Sequence, residues 1–139
     1  MRRIDNFRGN YYFLSNFYPV AIRYNWMVYG NAEAAFQAQK VLTDAERRPF
    51  ISMSATNAKK YGRKVKLRPD WEDVKLVVMY DIVLAKFTQN PSLKEMLIAT
   101  GNAELVEGNT WGDRYWGVCN GTGSNYLGKI LMAVREQLR

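Results

Sequence analysis

The apolar positions of this chain change period as the sequence advances, and each change predicts an element. Over the first thirty residues aromatic and β-branched side chains are dense: Tyr11-Tyr12-Phe13-Leu14, then residues 20–24 and 26–29 on either side of Asn25. This predicts a short β-rich start whose second and third runs pair as a hairpin. From Ala32 the pattern turns helical, running to about Leu42 without Gly or Pro, with Asn31 in the N-cap position. Thr43-Asp44-Ala45-Glu46 reads as a capping box for a second, short helix that Pro49 limits or bends. A third helix is predicted from about Thr56 to Gly62. The longest helical signal starts at Asp70, sets Trp71, Val74, Val78, Ile82 and Ala85 at three-and-four spacing, and ends at Asn90-Pro91. Ser92 with Glu95 forms another capping box, opening a helix through Leu93, Met96 and Leu97 that Thr100-Gly101 stops. A short strand over 104–107, a loop over 108–124, and a last helix from near Asn125 with Leu127, Ile130, Leu131, Val134 and Leu138 on one face follow. The whole reads as α+β, predominantly helical. No repeat, linker or low-complexity tract marks a boundary, so residues 1–139 read as one domain.

Composition narrows the chemistry. The 139 residues, 47% hydrophobic and 14% aromatic, suffice for one core. No run approaches the roughly eighteen apolar residues of a membrane span. The start Met1-Arg2-Arg3 leads into polar residues, so the expected location is cytoplasmic, with no membrane partner. One cysteine, Cys119, excludes an intramolecular disulfide framework. The absence of histidine removes the usual transition-metal ligands, and with them any Ser-His-Asp triad or Cys-His pair. Catalysis must therefore rest on carboxylates, lysine, tyrosine or backbone dipoles, and neither metal nor cofactor is expected. A net charge of +7 favours an anionic partner such as nucleic acid, a nucleotide or a diphosphate; a solvated basic surface explains it equally well.

Three segments carry candidate chemistry. Glu33, Gln37 and Lys40 stand at i, i+4 and i+7, a row of carboxylate, amide and ammonium that either serves one small substrate or forms an ordinary polar face. The run from Asn109 to Gly117 gathers Trp111, Asp113, Tyr115 and Trp116 beside glycines. Its indoles can stack on a base or pack in a core, and Asp113 can accept from ribose hydroxyls or act as a base. Gly121-Thr122-Gly123-Ser124-Asn125 before a helix is either an anion cradle or a tight turn. Residues 123–129 fit the first seven positions of a P-loop, but Ile130 stands where Ser or Thr must hold Mg²⁺, so no ATPase is read. Lys59, Lys60, Arg63, Lys64, Lys66 and Arg68 form the main basic run.

In order, these segments resemble the YbiA/NADAR family over nearly the whole chain. The matching pieces are 13–19 (Phe-Leu-Ser-Asn-Phe-Tyr-Pro), Glu33 with 36–40 (Phe-Gln-Ala-Gln-Lys), Ala58-Lys59, Gly62-Arg63, Asp70-Trp71, Val74-Lys75, Met79, Lys86-Phe87, 105–107, Asp113 with Trp116-Gly117, and Gly123 with Asn125 and Leu127-Gly128. Leu131-Met132 to Arg135-Glu136 closes the set. The resemblance implies a YbiA-like α+β fold and an N-glycosidase that breaks a ribose C1′–N bond. It implies either removal of ADP-ribose from modified guanine in nucleic acid or cleavage of phosphorylated riboflavin-pathway intermediates. Glu33, Lys40 and Asp113 are then the catalytic candidates, Lys40 capturing the opened ribose as a Schiff base. Substrate contacts are implied for Ser15, Asn16, Phe17, Gln37, Arg63, Trp71, Trp116, Gly117, Gly123 and Asn125. Family members often carry Ser-Glu-His where this chain has Ala32-Glu33-Ala34. A rival function from the same aromatics and basic run is a module that binds ADP-ribose or nucleic acid without turnover.

Overall fold

The computed structural model describes residues 2–139, and its backbone contacts divide the chain into two compact units. The first, residues 16–89, opens with the predicted hairpin. Strands β2 (Pro19–Tyr24) and β3 (Met27–Asn31) pair antiparallel with Tyr24 opposite Met27, so the loop is the two residues Asn25 and Trp26. Both have positive φ, 48° and 70°, as the twist of a two-residue hairpin demands. Helix α1 (Ala32–Ala38) follows at once, and the Asn31 side chain accepts from the Ala34 N–H at 2.7 Å as predicted.

The helix is shorter than its sequence pattern. Gln39 N–H donates to Phe36 O and Lys40 N–H to Gln37 O, three residues back, which tightens the last turn. The Gln39 amide takes the Ala35 carbonyl and Arg68 N–H takes that of Lys40, contacts that hold the chain in a turn where the pattern had the helix continue. Thr43 caps α2 (Asp44–Arg47) by accepting from Glu46 N–H, and a 3-10 helix (Arg48–Ser52) carries Pro49. Helix α3 (Ala55–Gly62) is capped by Ser54, and α4 (Trp71–Gln89) is the longest element. Ile22, Tyr29, Phe36, Phe50, Met79, Ile82 and Phe87 make the core of this unit.

The second unit joins the N-terminal segment, up to Ser15, to residues 90–139. Strand β1 (Arg3–Ile4) pairs parallel with β4 (Glu104–Leu105), the only part of the predicted 104–107 strand that forms among the described residues. Tyr11-Tyr12-Phe13-Leu14, expected as strand, lies in a 3-10 helix (Gly9–Leu14) that buries Phe13 and Leu14. Helix α5 (Pro91–Ala99) begins two residues earlier than expected: Asn90 is the N-cap and Pro91 the first helical residue, so Ser92 does not cap it. Two two-residue strands, β5 (Gly108–Asn109) and β6 (Val118–Cys119), pair parallel within the expected loop. Helix α6 (Tyr126–Leu138) buries Leu127, Leu131 and Val134 beside Leu97 and Leu105 in this unit's core. Gly128 lies inside α6, against the Leu105 carbonyl and the Asn125 amide, which agrees with the rejection of a P-loop. No helix among the described residues is long and apolar enough to cross a membrane.

Candidate active site

Within residues 16–89 the structure brings Glu33, Gln37 and Lys40 together, though not as one helical row. Glu33 lies in the first turn of α1, where the positive helix terminus favours a carboxylate, and its N–H donates to Asn16 O at 3.0 Å. Asn16 is itself buried, its amide 3.3 Å from Met79 Sδ. One turn on, Gln37 Nε2 donates to Glu33 Oε2 at 2.6 Å. Lys40 lies beyond the helix end, half-buried, and its Nζ donates to the Gly62 carbonyl at 3.2 Å. Burial lowers the Lys40 pKa from its ordinary value; the Glu33 carboxylate opposes that shift, and the Arg63 and Lys75 charges reinforce it. The outcome is a carboxylate held by a neutral amide and a lysine biased toward its free amine, the requirements for a proton shuttle beside a carbonyl-reactive nucleophile.

The remaining predicted contacts in this unit separate. Phe17 is half-buried, with Lys59 Nζ 5.9 Å from its ring centre. Arg63 is exposed at the end of α3. Arg68, counted in the basic run, is paired with Asp70 through Nε at 2.6 Å and Nη2 at 3.1 Å. Trp71 is a core residue, 5% exposed, its ring centre 5.1 Å from that of Phe36.

In the second unit Asp113 organises its own loop. Its Oδ1 accepts from the N–H groups of Tyr115 at 3.1 Å and Trp116 at 2.9 Å, while its backbone is tied at both ends to the Asn109 amide. Asn109 Nδ2 also donates to Glu107 Oε2 at 3.0 Å. Gly117 is buried so closely against Glu107 that a side chain there would overlap its carboxylate. Trp116 is half-buried and packs edge-on against Tyr115 at 4.8 Å. Ser15 ends the N-terminal 3-10 helix, its N–H donating to Tyr12 O.

Of the anion cradle and the tight turn read at residues 121–125, the hydrogen bonds favour the turn before α6. Its N–H groups are already donors within the fold: Ser124 to Arg114 O, Asn125 to Gly117 O, Tyr126 to Tyr115 O and Leu127 to Trp116 O, at 2.8 to 3.2 Å. Asn125, left-handed at φ 54°, uses its side chain to accept from Glu107 N–H and donate to Leu105 O. The helix N-terminus thus holds the Trp116 loop, and Gly123 gives room for it, since a side chain there would overlap the Gly117 carbonyl.

Lys86 went unassigned in the sequence reading of chemistry. It is 1% exposed on α4, and burial lowers its pKa to about 7. Its position four residues after Ile82, on the apolar stripe, was the available signal. Among the described residues no three His, Cys, Asp or Glu side chains gather as a metal site.

Comparison with known proteins identifies the family. The family model described as the NADAR domain matches residues 5–139. An N-glycosidase of Nostoc punctiforme is 40% identical over 132 residues, covering 90% of this chain and 84% of the relative. The N-glycosidase YbiA of Escherichia coli is 41% identical over 128 residues, covering 89% and 79%. A riboflavin biosynthesis protein of Vibrio vulnificus is 38% identical over 135 residues; the match spans 94% of this chain but 36% of that protein's length. The solved structure of Escherichia coli YbiA superposes with a TM-score of 0.86 at 39% identity, covering 99% of this chain and 86% of the other. The chain belongs to the NADAR domain family.

Proposed function

We propose that this chain is an N-glycosidase that hydrolyses the C1′–N bond of a ribosylated, phosphate-bearing substrate. The observation that carries the reading is the Glu33–Gln37–Lys40 arrangement, a held carboxylate and a lysine of lowered pKa acting on each other. Relatives named N-glycosidase support the bond type, and the relative named for riboflavin biosynthesis supports a phosphorylated pyrimidine ribosylamine as one substrate. ADP-ribosylated guanine in nucleic acid is the other.

Ring opening of the ribosyl group, with a proton from solvent added to the ring oxygen, leaves an iminium at C1′; an equivalent proton returns to solvent when the Lys40 Schiff base is hydrolysed to the free amine. The free amine of Lys40 adds to C1′, Glu33 takes the proton this addition releases and delivers it to the departing nitrogen, and the C1′–N bond to the base breaks. Water then hydrolyses the Lys40 Schiff base, giving the sugar aldehyde and restoring the amine, so one water is consumed per turnover. Gln37 donates to Glu33, which suits a carboxylate that begins the cycle ionised. Arg63, whose charge acts on Lys40, and the exposed Lys60 and Lys64 suit the substrate's phosphate. Half-burial leaves Lys40 open to substrate, whereas Lys86 is closed to it. Asp113 serves to shape the Trp116 loop.

The test is incubation with a guanine-ADP-ribosylated oligonucleotide and, separately, a phosphorylated pyrimidine ribosylamine, followed by mass spectrometry beside Glu33→Ala and Lys40→Ala. Product release that both substitutions abolish, with borohydride trapping at Lys40, is expected for one of the two substrates. Binding of ADP-ribose without turnover of either substrate would replace the glycosidase with the binding module.

A further inference from the structure

We infer that Gly62 is a positioning residue for both reactive groups, acting on Glu33 through the Gln37 amide and on Lys40 through its own carbonyl. The inference rests on the glycosidase reading for its catalytic consequence but not for its geometry. Gly62 ends α3 with ordinary backbone angles, outside the left-handed region, so conformational freedom does not explain a glycine here. Space does. A methyl group at this position would overlap Gln37 Oε1 and stand 2.7 Å from its Cδ and 3.2 Å from its Cβ.

The Gln37 amide has one workable orientation. Nε2 faces the Glu33 carboxylate, which can only accept while ionised. Turning the amide over would set oxygen against oxygen. Oε1 is therefore directed at Gly62, where it is buried and accepts no hydrogen bond. A buried acceptor without a donor is a cost that a fold sheds when it can. Here the alternatives are losing the hold on Glu33 or adding a side chain where none fits. With one Nε2 donor engaged and Oε1 sealed from solvent, Gln37 is the support that aims Glu33. The Gly62 carbonyl accepts from Lys40 Nζ at 3.2 Å, so one residue sets the spacing of amine and carboxylate.

Gly62→Ala tests this directly, because the obstructing atoms are the far end of a flexible side chain and can be displaced. In the Gly62→Ala protein the hydrogen-bonded side-chain amide resonances of Gln37 move toward free-amide positions. This measurement needs no substrate and stands whether or not either substrate turns over. With the substrate that turns over, kcat falls about tenfold or more while KM stays within about threefold. In a Gln37→Ala background, which restores the space, adding Gly62→Ala costs less than about twofold. If Gly62→Ala alone does not fold, the double variant is expected to fold and to match Gln37→Ala. Unmoved Gln37 resonances, an undiminished kcat in Gly62→Ala, an equal loss in both backgrounds, or a double variant that cannot fold would each overturn the assignment.

Discussion

Replacing Lys86 with methionine should stabilise this protein at neutral pH and remove a defined part of its pH dependence. The side chain is 1% exposed, with its Nζ 5.8 Å from the ring centre of Tyr18 and 5.2 Å from that of Phe87. Burial lowers its pKa from 10.5 to about 7. Between those two values the unfolded chain keeps the proton and the folded chain has released it, so stability rises with pH across this window. The full contribution is present above 10.5 and is lost as pH falls to about 7. The slope is about 1.3 kcal/mol per pH unit midway, and the whole interval amounts to about 5 kcal/mol. Charged Lys86 recovers about 0.5–2 kcal/mol from the aromatic faces. Methionine of similar length carries no charge and so no cost of burying one, which makes Lys86→Met the more stable protein at neutral pH. Urea unfolding of the native and Lys86→Met proteins at several pH values between about 6 and 9.5 reads the effect as a difference, which cancels every other titrating group. The advantage of Lys86→Met should shrink by about 3 kcal/mol between about pH 7 and 9.5. Parallel curves across the range would refute a deprotonating Lys86 in the folded state.

Lys40 should titrate below the exposed lysines when followed by reductive methylation and NMR. Glu33→Gln should lower it further, because Glu33 is the charge that opposes the effect of burial; an upward move contradicts the site as described. Asp113→Ala should cost about 2 kcal/mol by removing the acceptor of two backbone N–H groups, with hydrogen exchange accelerated at the Tyr115 and Trp116 amides. Trp26→Gly should raise stability by about 0.5–1 kcal/mol, since Trp26 is 95% exposed at φ 70° in the hairpin loop, where glycine carries no left-handed penalty; thermal unfolding measures it.

Local signals in the chain were sufficient wherever one element answers to its own residues. Asn31 and Thr43 cap the helices that follow them because a short side-chain acceptor meets its donor three residues away. The α4 stripe and the hairpin around Asn25 depend on periodicity alone. The ordered family pieces likewise marked Glu33 and Lys40 as reactive candidates. The end of α1 was not legible, because it is set by Gln39 reaching back to Ala35 O and by Arg68, far along the chain, donating to Lys40 O. That distant contact places Lys40 in a turn against Gly62 rather than on a helical face. The strand pair β1–β4 joins residues about a hundred positions apart, and two-residue strands carry no periodicity to announce themselves. The α6 N-terminus looked open to an anion because a sequence shows which N–H groups begin a helix but not which carbonyls fold back onto them. Residue types and spacing determined the helices and the hairpin, and the family resemblance named Glu33 and Lys40 as candidates. Only tertiary structure decided which donors were already spent, which lysine was sealed and which reachable, and that a missing side chain at Gly62 makes room for the amide that holds Glu33, because each depends on atoms brought together from separate parts of the chain.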